Sequence, residues 1–193
     1  MPDQSTNRVM HHSNVSNDNI LTHVYSIPSL KLTNANRIMN KLDELFLIVS
    51  AGSFDLVCIT ESWLSPQVPD SAVRMPDFVL YRRDRVDGIG GGVMFYIRSS
   101  IYSKSVHPDI GATNDFEVLW VLMRPKCLPR PLSVIIVVVA PPWYDVSTRR
   151  CLSNYLMAGI YFFSRRFTNA GFFVVGDYNQ LDTSFLDKRL RFK

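Results

Sequence analysis

Two short apolar runs, each ending on a carboxylate, constrain this chain more than any other feature. Gly171-Phe172-Phe173-Val174-Val175 passes abruptly into Gly176-Asp177-Tyr178-Asn179, and Phe54-Asp55-Leu56-Val57-Cys58-Ile59-Thr60 ends on Glu61. Short runs rich in β-branched and aromatic residues read as buried strands. In an extended backbone residues i and i+2 project to the same side, so Asp177 and Asn179 can face one site together. Two strand ends that each deliver an acid put a candidate site at one end of a sheet. There a metal, a water or a phosphate would meet a rigid acid beside a neutral hydrogen-bonding partner. From pattern alone, capping a helix or pairing with an arginine is as good an account of either acid as a functional role.

Further elements follow from periodicity. Ser29 to Asn34 alternates as a strand, and Ile38, Leu42, Leu45, Phe46 and Val49 recur at helical spacing, which predicts a helix over Asn36 to Ser50 stopped by Gly52. Strands are predicted at Phe78 to Tyr81, Val93 to Ile97, Phe116 to Met123 and Ser133 to Val139. The last two flank the proline-rich turn Pro125 to Pro131 and so form an antiparallel pair. Cys151 to Phe167 carries Leu152, Tyr155, Leu156, Ile160 and Phe163 on one face, a second helix that Gly159 weakens. Strands outnumber helices without a regular βαβ alternation, which indicates an α/β (α+β) sandwich of sheets covered by helices.

A length of 193 residues suits one domain with a substantial core, and 47% hydrophobic with 20% charged residues is a globular balance. Residues 1–24 are polar and aperiodic and read as a disordered leader ahead of a domain over 25–193. The leader has no apolar core of a signal peptide, and the longest aliphatic run, Val134 to Ala140, is far short of the ~20 residues that span a bilayer. Three widely spaced cysteines without a CxxC pair suit neither a disulfide framework nor a zinc site. The expectation is therefore an intracellular protein, cytoplasmic or nuclear, with no membrane partner. A net charge of +4 is compatible with a polyanionic partner, and its basic residues gather at Arg82, Arg83 and Arg85 and in the tail 188–193. Solvated surface and phosphate contact are about equally good readings of those runs. Gly88 to Gly92 lacks the Lys-Ser/Thr of a phosphate loop and the third glycine of a dinucleotide fingerprint, so it reads as a hairpin or bulge where backbone passes close to backbone.

In order along the chain stand Leu32-Thr33-Asn34-Ala35, Asn40 to Leu45, Ile59-Thr60-Glu61-Ser62-Trp63-Leu64 and Arg82-Arg83-Asp84-Arg85 with Gly90 to Val93. Phe116 to Val121, Pro141-Pro142 and Gly176-Asp177-Tyr178-Asn179 follow. This collinear series, over about residues 30–192, resembles the endonuclease domain of non-LTR (LINE-like) retrotransposons, in the endonuclease/exonuclease/phosphatase (DNase I-like) superfamily. The resemblance implies a four-layer α/β/β/α sandwich and Mg²⁺-dependent hydrolysis of a DNA phosphodiester, with Mn²⁺ as a possible substitute. It also implies a reverse transcriptase domain on the same polypeptide as partner.

By that resemblance Glu61 is the principal metal ligand and Asn34 helps hold the metal's water shell or the phosphate. Asp177 orients or activates the attacking water, and Asn179 hydrogen-bonds a phosphate oxygen. Val139 or Ala140 stands where the family carries a tyrosine before Pro141, and Asn36 stands where relatives usually carry arginine. The family's closing Ser-Asp-His motif does not occur before Lys193. The expectation is thus an incomplete, C-terminally truncated sandwich with weak or no nuclease activity. The alternatives are a non-catalytic nucleic-acid-binding remnant using Arg82, Arg83 and Arg85, and a small-substrate phosphoesterase.

Overall fold

The computed structural model describes residues 25–86, 90–110, 116–140 and 146–177. The leader expected over 1–24, and Asn179, lie outside the described residues. Two four-stranded sheets face each other. The first has the order β1-β2-β4-β3, with β1 at Leu30–Asn34, β2 at Leu56–Thr60, β3 at Phe78–Arg83 and β4 at Val93–Arg98. The second has the order β5-β6-β7-β8, with β5 at Tyr102–Ser105, β6 at Leu119–Arg124, β7 at Val134–Ala140 and β8 at Ala170–Gly176. Each sheet has one parallel pair at an edge, β1 with β2 and β7 with β8, and is otherwise antiparallel. A parallel pair needs a crossover, and the two helices supply it: α1 (Leu42–Ala51) joins β1 to β2, and α2 (Val146–Arg166) joins β7 to β8.

Strand alternation sorts the core into three apolar layers. Leu56, Cys58, Val93, Phe95 and Ile97 of the first sheet meet Leu119, Val121, Met123, Ile135 and Val137 of the second. The intervening residues Val57, Ile59, Met94 and Tyr96 pack under α1 through Leu45 and Val49. Trp120 and Ile136 turn the other way, onto Leu152, Leu156, Ile160 and Phe163 of α2. The α/β/β/α layering follows, and β2 and β4 read as unbroken apolar runs because both of their faces are covered. Each large side chain so buried contributes about 1.5–3 kcal/mol.

Several elements differ from the sequence expectation. The helix predicted from Asn36 begins only at Leu42. Asn36 and Arg37 have φ of 43° and 77°, and the N–H groups of Ala35, Arg37 and Ile38 donate to the carbonyls of Thr60, Glu61 and Ser62. Pairing with the extension of β2 thus overrides the helical period there. β3 runs past the predicted end at Tyr81 through Arg82 and Arg83, because they continue the ladder to Met94 and Val93. β5, Tyr-Ser-Lys-Ser, carries no alternating apolar signal because this edge strand is largely exposed. α2 starts at Val146, five residues before the predicted Cys151. No described helix is long and apolar enough to cross a membrane.

Candidate active site

Register brings the site residues to one end of the sandwich. Asn34 lies opposite Thr60 and Thr60 opposite Val93, so the C-terminal ends of β1 and β2 sit beside the start of β4. In the second sheet Leu119 lies opposite Val139, and Val139 opposite Val175, so the start of β6 sits beside the ends of β7 and β8. The two ends meet where Asn34 Nδ2 donates to Asp177 Oδ2 at 2.9 Å. Asn34 Oδ1 in turn accepts from the Asn36 N–H at 3.1 Å, which fixes the orientation of the amide. Asp177 is thereby oriented through one oxygen by a neutral donor, a suitable posture for a group that accepts a proton from water.

Glu61 is the most constrained side chain of the site. Its backbone is left-handed, φ 54°, and the residue is only 7% exposed. A non-glycine residue in that region is uncommon and is held there by its surroundings. Ser62 and Trp63 donate their N–H groups to the carbonyls of Gly92 and Gly91, which carries the first sheet past the end of β2. Glu61 Oε2 accepts from Trp63 Nε1 at 2.8 Å and from the Gly91 N–H at 3.0 Å. Oε1 is buried with no hydrogen-bond partner. A buried carboxylate with one oxygen satisfied and the other bare is costly unless a cation completes it. One such carboxylate suits Mg²⁺ or Mn²⁺, which keep several waters and take further oxygens from a phosphate. Among the described residues no group of three or more His, Cys, Asp or Glu side chains could cage an ion without such help.

Gly90, Gly91 and Gly92 all have positive φ, as a backbone passing close to Glu61 and Trp63 requires. Gly90 to Gly92 thus make the close backbone approach read from the sequence, Gly88 lying outside the described residues, and their amides have a further use that periodicity does not reveal. Gly91 holds Glu61, while the Gly92 N–H donates to Glu117 Oε2 at 2.7 Å. Glu117, buried just before β6, also receives Arg85 Nε on Oε1.

Of the arginines read as possible phosphate contacts, Arg82 and Arg85 are engaged with acidic side chains. Arg82 bridges Asp70 at 3.1 Å and Asp84 at 3.3 Å and donates to the Val68 carbonyl at 2.6 Å. Arg85 pairs with Glu117, and Arg83 is half-buried at the end of β3. Burial raises the Asp84 carboxyl above its ordinary range, with Arg82 opposing the shift and Asp70 reinforcing it. At the rim the exposed Arg37 guanidinium stacks on the Trp63 ring at 5.0 Å, a cation that the sequence did not single out.

The model of the Endonuclease/Exonuclease/phosphatase family matches residues 13–191. The chain belongs to this family. Solved structures of similar fold include humanized D. rerio TDP2 with 14 mutations, at 15% identity and a TM-score of 0.55 over 83% of this chain and 70% of that one. D. rerio TDP2 complexed with single-strand DNA product matches at 15% identity and TM-score 0.52, over 84% and 64%. The 3′-5′ exonuclease NExo from Neisseria meningitidis matches at 16% and 0.55, over 78% and 57%. The AP endonuclease LMAP from Leishmania major matches at 16% and 0.55, over 79% and 55%. The chain thus spans little more than half of the last two. No curated protein sequence matches it significantly. These likenesses agree with the two-sheet sandwich described above.

Proposed function

We propose that this member of the Endonuclease/Exonuclease/phosphatase family is a divalent-metal-dependent phosphodiesterase acting on DNA, of the retrotransposon-endonuclease type. The observation that carries the proposal is Glu61, with Oε2 tied by two donors and Oε1 buried and unpartnered. DNA as substrate draws support from the relatives described as exonuclease, AP endonuclease and DNA-product complex. The retrotransposon branch and a reverse transcriptase partner rest on the ordered motif series alone.

Glu61 would hold Mg²⁺ or Mn²⁺, which when bound would stabilise charge developing on the phosphate. Asp177, oriented by Asn34, takes the proton from the attacking water. Asn179 donates to a phosphate oxygen, and the neutral amides of Asn34 and Asn179 add donors without adding negative charge to an anionic site.

β7 pairs Ala140 with Gly176, one residue from Asp177. By the resemblance, Val139 or Ala140 in place of the family tyrosine makes this a slow enzyme. Substrate class provides the test: supercoiled plasmid, bis(p-nitrophenyl) phosphate and p-nitrophenyl phosphate, each with Mg²⁺. Cleavage of the diesters ahead of the monoester is expected. Turnover of the monoester alone would move the assignment to a small-substrate phosphoesterase.

A further inference from the structure

We infer that Glu117, just before β6 of the second sheet, is a positioning residue for Glu61, just after β2 of the first, acting through the Gly91–Gly92 turn. The inference rests on reading Glu61 as the metal ligand. Two adjacent backbone N–H groups hold two buried glutamates: Gly91 donates to Glu61 at 3.0 Å and Gly92 to Glu117 at 2.7 Å. The carbonyls of the same glycines accept from Trp63 and Ser62, so both polar backbone groups of each glycine are engaged. φ of 75° and 77° is a conformation that glycine adopts at little cost but does not prefer strongly, so external bonds must choose it.

Glu117 supplies that choice from the far side of the turn. Its Oε1 is anchored by Arg85, and the Arg85 guanidinium lies directly over the turn, where a Cβ on Gly91 would come within 2.3 Å of its Cζ. Glu117 is 9% exposed, so its bond to Gly92 is shielded from competing water. Rotation of the peptide that links the two glycines would break the Gly92–Glu117 bond. It would also shift the turn whose Gly91 N–H holds Glu61 Oε2. A carboxylate with one oxygen located this way presents the other at a fixed point, which is what a single-carboxylate cation site needs.

Mn²⁺ affinity of the full chain, read by electron paramagnetic resonance titration, separates positioning from mere support of the fold. Glu61→Gln, Glu117→Ala, Glu117→Gln and the double variant Glu61→Gln/Glu117→Ala are compared. Loss of an outer partner of a metal ligand commonly weakens affinity about 10–100-fold, so Glu117→Ala should lose about tenfold while Glu61 is present. In the Glu61→Gln background the same change should alter Mn²⁺ affinity by less than about twofold, because no positioned ligand remains. Glu117→Gln keeps an acceptor for Gly92 and should recover most of the affinity. If Glu117→Ala does not fold, Arg85→Gln, which loosens the anchor, takes its place with the same expected pattern. Unchanged affinity in Glu117→Ala, or equal losses in both backgrounds, would overturn the inference while leaving Glu61 as ligand. Unchanged affinity in Glu61→Gln would overturn the ligand reading itself, and the inference with it.

Discussion

Gly159 in the middle of α2 should resist the substitution that helix propensity recommends. At an ordinary helix position Gly→Ala gains about 0.8–1 kcal/mol. Here α2 lies against Trp120, which is 1% exposed and packs among Tyr155 and Phe163. A Cβ at residue 159 would sit 2.4 Å from both Cζ2 and Cη2 of the indole and 3.3 Å from Pro108 Cγ. Carbon contacts settle near ~3.5–4 Å, so either the helix or the ring must move, at about 1–3 kcal/mol for an overpacked core. Overpacking outweighs propensity, and Gly159→Ala should destabilise by up to ~2 kcal/mol. Trp120→Phe removes the two offending ring atoms together with Nε1, a donor buried without a partner. In that background Gly159→Ala should become neutral or stabilising by up to ~1 kcal/mol. Urea unfolding of the four proteins gives the coupling, expected at about 1–3 kcal/mol. Additivity within ~0.5 kcal/mol would refute the close-approach account of this glycine.

Three other outcomes follow from buried groups. Tyr96→Phe should cost about 1–3 kcal/mol in urea unfolding, because the Tyr96 hydroxyl donates to the buried Val73 carbonyl at 2.6 Å; an unchanged midpoint would contradict this. Burial pushes the Cys58 thiol well up, so a thiol reagent should label the exposed Cys127 and Cys151 in the native protein and reach Cys58 only after unfolding. Burial also raises the Asp84 carboxyl above 3.8, so the native state holds that proton more tightly than the unfolded chain does. Its charged form therefore costs stability at neutral pH, and the cost fades as the pH falls through the raised value. Asp84→Asn should gain stability relative to the original protein between pH 4 and pH 7, and a gap that is constant or shrinks with rising pH would contradict the shift.

Much of the sandwich was legible because most of its strands alternate between two buried faces. Continuous runs such as Leu56 to Thr60 and Val134 to Val137 have few other places to go. The candidate acids were legible for the same reason, since a carboxylate at the end of such a run stands out. The segment 36–41 was misread because its apolar spacing is helical while its amides are claimed by the extension of β2, and β5 was missed because a solvent-facing edge carries no period. Glu117 appeared in the motif series without a role. Its bond is to a backbone amide of a distant turn, and no residue-type pattern encodes that pairing. The ion pairs of the arginine run were not legible either, since the fold engages Arg82 with Asp84 of the same run and with Asp70, and Arg85 with Glu117.

The central claim is that Glu61 and Asp177 form one metal-dependent site for cutting phosphodiesters. Its most direct test is nicking of supercoiled plasmid by the purified chain across a Mg²⁺ titration, with Glu61→Gln and Asp177→Asn measured in parallel. The account predicts slow nicking that requires Mg²⁺, a loss of about 10²-fold or more in Asp177→Asn, and a requirement for much higher Mg²⁺ in Glu61→Gln. Nicking that persists in both variants, or that needs no divalent cation, would contradict it.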